Sequence, residues 1–95
     1  MGGFVYLMSN KKGGPIYTGV AADVGARVWQ HREGQGSTFC KRYGLTRLVY
    51  CEAFDDITDA IAAEKRIKKW RRAWKVAMTE KENPDWDDLF ETINH

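Results

Sequence analysis

Residues Ile57, Ala60, Ile61, Glu64 and Ile67 follow the i, i+3, i+4, i+7 rhythm of one buried helical face, and one of the five is a glutamate. A bare carboxylate inside an apolar stripe is costly to bury, so it must be paired, metal-bound or protonated. Any fold this chain adopts has to offer that helix one of the three. The residues that follow offer positive charge: Lys65, Arg66, Lys68, Lys69, Arg71, Arg72 and Lys75, with Trp70 and Trp74 interleaved.

The charge is unevenly spread. Residues 1–75 hold 14 Lys or Arg against 7 Asp or Glu, whereas residues 76–95 hold one against six. The near-neutral total of +2 therefore conceals a basic body and an acidic tail. A basic body suits a polyanion, nucleic acid before anionic membrane. Ninety-five residues, 43% of them hydrophobic, suffice for one domain spanning 1–95 with one modest core, and the composition excludes disorder. Cys40 and Cys51 form neither a C-x-x-C pair nor a zinc set, and they read as small, buried or half-buried thiols. The apolar run Phe4–Met8 is too short for a signal peptide, and no segment is long enough to span a bilayer. The expected location is the cytoplasm.

Phe4–Met8 and Ile16–Val20 read as strands joined by a Gly- and Pro-containing turn. A hairpin would set Tyr6 and Tyr17 on paired strands. Gly19 either ends the second strand or lets something approach its backbone closely. Asp23 is a plausible cap for a helix through about Glu33, with Gly34 just beyond its end. Val24, Val28 and His31 share one face of it, and Arg27 lies beside them, one turn before His31. A short helix is expected around Thr38–Arg42 and a third strand over Arg47–Phe54. Thr58 is expected to cap the helix carrying Glu64. Asn83-Pro84 is expected to start a last helix with Trp86, Leu89, Phe90 and Ile93 on its apolar face.

Two readings fit Glu64: a metal ligand, or a core-edge acid paired with Arg27 or a lysine. Arg27 could present its fork of donors to a phosphate, or be an ordinary surface arginine. His31 could bond a phosphate or take a proton, or be a satisfied core-edge histidine. Tyr6 and Tyr17 could be packing residues, since a phenol acts as a base only if positive charge lowers its pKa. Asn83 reads first as a helix cap.

At these residues the chain resembles the GIY-YIG nuclease superfamily, particularly its small bacterial single-domain members, which are similar to the nuclease part of structure-specific endonucleases. Phe4-Val5-Tyr6 matches the first motif at its tyrosine, and Tyr17-Thr18-Gly19 matches the second at both ends. Arg27, His31 and Glu64 follow in the family's order, and Asn83 matches its late asparagine. Phe4 departs from the motif glycine. The resemblance implies an α/β (α+β) domain, a small three-stranded antiparallel sheet flanked by helices. It implies a metal-dependent endonuclease acting on DNA, with Glu64 as ligand of Mg²⁺ or Mn²⁺ and Tyr6, Tyr17, Arg27, His31 and Asn83 around it. One tyrosine, Tyr6 first, would help deprotonate the attacking water, and Tyr17 would orient water or phosphate.

Phosphodiester hydrolysis needs an aligned water, a sink for charge on the phosphoryl oxygens and help for the leaving oxygen, which such a group could meet. Lys41, Arg42, Lys65, Lys68, Lys69 and Arg72 are the candidate contacts to nucleic-acid phosphates. Nothing in the chain resembles a base-reading module, so recognition by backbone or shape is expected. A homodimer or a targeting partner is compatible with so small a clamping surface. The rival readings are a catalytically weak or inactive nucleic-acid-binding module of the same fold, and an interaction protein whose acidic tail helix docks a partner.

Overall fold

The computed structural model describes residues 1–93. A three-stranded antiparallel sheet has the order β2-β1-β3, from β1 (Gly3–Ser9), β2 (Tyr17–Ala21) and β3 (Arg47–Phe54). Helices α1 (Val24–Arg32), α2 (Thr38–Tyr43), α3 (Ile57–Lys68), α4 (Arg72–Glu82) and α5 (Phe90–Ile93) surround it. This is the α/β architecture expected.

The central strand explains the rest. β1 is paired on both edges and covered on both faces, so it carries an unbroken apolar run where a half-exposed strand would alternate. Side chains leave a strand on alternate faces. Tyr6 and Met8 enter a core with Val24, Val28, Cys40, Leu45, Leu48 and Phe90. Val5 and Leu7 enter a second core on the opposite face, with Val49, Ala60, Ala63, Ile67 and Trp86. An irregularity in β1–β3 pairing after Leu7 skips Val49, so Val49 and Tyr50 both pack toward α3.

Several local expectations hold with small shifts. Met8 faces Tyr17 and Tyr6 faces Gly19 across the hairpin. Asp23 caps α1 by accepting from the Ala26 N–H at 3.0 Å, and Gly34 takes φ 76° beyond its end. Others change. Asp56, not Thr58, caps α3: its carboxylate accepts the Thr58 N–H at 2.9 Å, and a carboxylate suits the positive end of a helix. The basic block does not run along one helix; it divides between the end of α3 and the start of α4, a helix the sequence pattern did not reveal. Asn83-Pro84 does not start a helix. Asn83 is the C-terminal cap of α4, and a non-helical segment follows, in which Trp86 has φ 55°. Only Phe90–Ile93 is helical there, and the Ile93 side chain lies outside the described residues.

Arg72 locks the hairpin tip to α4, donating through Nη2 to the carbonyls of Gly13 at 2.8 Å and Gly14 at 2.7 Å. Cys40 and Cys51 are free, and burial pushes both thiols up to about 11, which keeps them largely protonated at neutral pH. Among the described residues no helix is long and apolar enough to cross a membrane.

Candidate active site

Four of the six expected site residues meet on the α1 side of the sheet. Tyr6 comes from the buried central strand, Tyr17 from the start of the edge strand, and Arg27 and His31 from successive turns of α1. The Tyr6 ring lies 6.2 Å from that of Tyr17 and 5.8 Å from that of His31, and Tyr17 and His31 meet edge-on at 5.2 Å. Gly19 makes this possible. A Cβ there would fall 2.5 Å from Tyr6 Cζ and Oη and 2.9 Å from Tyr17 Cε2. The close approach that the sequence left open at this glycine is made by the Tyr6 ring itself.

Tyr6 and His31, 25 residues apart, are joined by a buried hydrogen bond of 2.9 Å between Oη and Nε2. Its direction follows from the other side of the imidazole, where Nδ1 accepts the Ser37 backbone N–H at 3.3 Å. A ring nitrogen that accepts carries no proton, so in the neutral ring Nε2 bears it and donates to Tyr6. Burial, reinforced by the charge of Arg27, lowers the His31 pKa from 6.5, which keeps the ring neutral at pH 7. Gly36 fixes the ring sterically, since a Cβ there would stand 2.3 Å from Nδ1. Gly36 and Ser37 were not singled out in the sequence, because loop residues follow no period that could flag them.

Burial, with Tyr17 next to it, drives the Tyr6 hydroxyl well above its ordinary pKa; Arg27 opposes this without reversing it. The base role expected for Tyr6 would have to overcome that shift. With His31 already donating to its oxygen, Tyr6 keeps its own proton available to a further acceptor. Burial alone would lower Arg27, but Tyr6 and Tyr17 raise it overall, so its charge is secure. Nη1 of Arg27 also donates to Gln30 Oε1 at 2.9 Å.

Glu64 comes from a different element, α3, and none of the hydrogen bonds of this group reaches it among the described residues. It is 9% exposed on α3, the helix that packs on the opposite face of the sheet, and Lys68 lies 3.3 Å from its Oε1. The lysine alternative thus describes its partner, and Arg27 is not that partner. Among the described residues no three His, Cys, Asp or Glu side chains cluster as a metal site. A largely buried carboxylate whose one ion-pair partner among the described residues is Lys68 nevertheless suits a hard ion such as Mg²⁺. That ion binds through one or two carboxylates and keeps its remaining positions for water and phosphate.

Asn83 does not join the tyrosines. Its Nδ2 donates to the carbonyls of Val49 at 3.0 Å and Asp87 at 2.9 Å, and its Oδ1 accepts the Asp87 N–H at 3.0 Å. All of that bonding staples the C-terminal segment to β3. Of the expected phosphate contacts, Arg72 is committed to the hairpin tip and Lys68 to Glu64, whereas Lys41, Arg42, Lys65 and Lys69 are exposed.

A small antiparallel sheet thus buries a tyrosine and a histidine against its first helix, with a half-buried arginine beside them, and the class of domain follows from likeness to known proteins. The GIY-YIG catalytic domain family matches residues 2–80. UPF0213 proteins from Staphylococcus aureus strains Mu3 and Mu50 are each 37% identical over 75 residues, 79% of this chain and 90% of theirs. The solution NMR structure of a UPF0213 protein from Bacillus halodurans is similar with TM-score 0.55 and 30% identity, covering 87% of both chains. The chain belongs to the GIY-YIG nuclease superfamily, among its small UPF0213 members.

Proposed function

We propose that this protein is a metal-dependent endonuclease that hydrolyses DNA phosphodiester bonds, held by backbone and shape rather than by base sequence. The observation that carries the reading is the buried Tyr6–His31 hydrogen bond with the Arg27 guanidinium beside it. Nucleolytic chemistry needs donors aimed at phosphoryl oxygens that gain charge in the transition state, in a site that excludes water. Arg27 supplies a permanent positive fork for those oxygens. Tyr6, kept protonated by burial and fed a hydrogen bond by His31, donates its proton as a hydrogen bond to the phosphate or the leaving oxygen. Tyr17, half-buried where Tyr6 is enclosed, takes the water-orienting role. Glu64 would hold Mg²⁺ or Mn²⁺, which when bound supplies a charge sink and an acidified water. Lys41, Arg42, Lys65 and Lys69 grip neighbouring phosphates. The two free thiols suit a reducing compartment and support a cytoplasmic location.

The test is nicking of plasmid and branched DNA with and without Mg²⁺, wild type beside Glu64→Ala. Cleavage by the wild type alone, abolished by EDTA, is the expected outcome. Equal DNA binding with no cutting by either protein would replace the enzyme with a binding module of the same fold.

A further inference from the structure

The Tyr17 ring that meets His31 also stacks outward on Phe39, with centroids 6.5 Å apart and planes at 29°. Phe39 in turn lies 4.9 Å from Tyr43, one helical turn along α2. These outer two rings are 41% and 44% exposed, and the only fully buried residue of α2 is Cys40. Neither ring is therefore spent on the core. Between and beside them stand Lys41 and Arg42, both exposed, with the Arg42 guanidinium 5.6 Å from the Tyr43 ring centroid. No acidic residue occurs in α2.

We infer that the ladder Tyr17–Phe39–Tyr43, edged by Lys41 and Arg42, is a stacking platform for the unpaired bases of a single nucleic-acid strand entering the Tyr6–His31 site. The chemistry selects this occupant. Alternating cations answer a polyanion, and exposed ring faces answer π-faces. In a duplex the base faces are already stacked on one another, so only an unpaired strand can present them. Continuity with the site is physical, because Tyr17 touches both the catalytic group and the ladder. The platform narrows the proposed nuclease to substrates with a single-stranded segment and rests on that reading for its purpose, though not for binding.

Binding is measured by fluorescence anisotropy in EDTA, using a labelled oligothymidylate and a duplex hairpin closed by a non-nucleotide linker, with the same number of phosphates. The wild type should prefer the oligothymidylate. Phe39→Ala and Tyr43→Ala should each weaken it roughly five- to a hundredfold and leave the hairpin unchanged, and Phe39→Trp should restore it. Lys41→Ala with Arg42→Ala should weaken both ligands and flatten the salt dependence. Both aromatic positions are exposed, and circular dichroism melting verifies folding. Unchanged oligothymidylate binding in the alanine variants, or equal loss on both ligands, overturns the platform. So does sedimentation showing that the aromatic face pairs two copies of the chain. A parallel Mg²⁺ cleavage assay separates the two readings. Aromatic-dependent binding without cleavage keeps the platform and removes the nuclease; cleavage with aromatic-independent binding does the reverse.

Discussion

The two faces of one sheet have been put to opposite uses. Toward α3, β1 sends Val5 and Leu7 into a core closed by alanines, Ile67 and Trp86, and the polar groups there are mostly consumed in holding backbone together. Toward α1, the same strand sends Tyr6 and Met8 into a core where the tyrosine meets a histidine, a second tyrosine and an arginine. Alternation along a single strand thus separates a mainly apolar face from one that buries a polar group, one residue apart. The second face carries a cost: a buried phenol and a buried imidazole, each shifted in pKa chiefly by burial, are tolerable only because they satisfy one another.

Breaking the stabilising face should have the largest effect. Trp86 is fully buried, with its indole N–H donating to Glu80 Oε2 at 2.7 Å. Trp86→Ala should cost about 3–5 kcal/mol in chemical denaturation, a large part of a small domain's stability. On the α1 face the larger effect should be on turnover, if the proposed function holds. Tyr6→Phe keeps the ring and removes the hydroxyl, so turnover should fall about a hundred- to a thousandfold in single-turnover cleavage, with a near-native melting curve. Full turnover in this variant would remove Tyr6 from the chemistry. Asn83→Ala sharpens the contrast from the other side. It orphans the Val49 carbonyl and the Asp87 N–H, at about 1–3 kcal/mol, while activity per folded molecule should stay at the wild-type level.

The smallest expected effect is one of pH. The folded protein holds His31 below 6.5, so the unfolded chain binds the proton more readily. The contribution of the neutral ring is complete above pH 6.5 and declines as pH falls below it toward the folded value. Denaturation midpoints should drop over that acid window, and His31→Gln should make that segment shallower.

The parts of this molecule that were legible in the sequence are those whose signals are local. The β1–β2 hairpin followed from two apolar runs around a Gly-Pro turn, and α1 from an aspartate cap, a spaced apolar face and a glycine stop. The placement of Tyr6 and Tyr17 on paired strands and of Arg27 one turn before His31 was readable from the hairpin and the helix, whereas the union of all four was implied by the family resemblance. α4 was not legible, since Thr79 is its only buried residue and its apolar side chains form no stripe. Asn83-Pro84 misled because an asparagine beside a proline looks the same at either end of a helix. What decided the matter was long-range bonding to Val49, which no local window contains. The post of Gly36 on the imidazole was hidden for the same reason.

Trp86 and Phe90 carry a consequence for how the protein is made. One plugs each core, and both come after every strand and every longer helix in the order of synthesis. A ribosome that has extruded the hairpin and α1, with Tyr6, Tyr17, Arg27 and His31, has still delivered neither residue that plugs the two cores. The packed state of both cores therefore arrives late and all at once, when the segment holding Trp86 and Phe90 leaves the exit tunnel and shuts two doors within a few residues of each other.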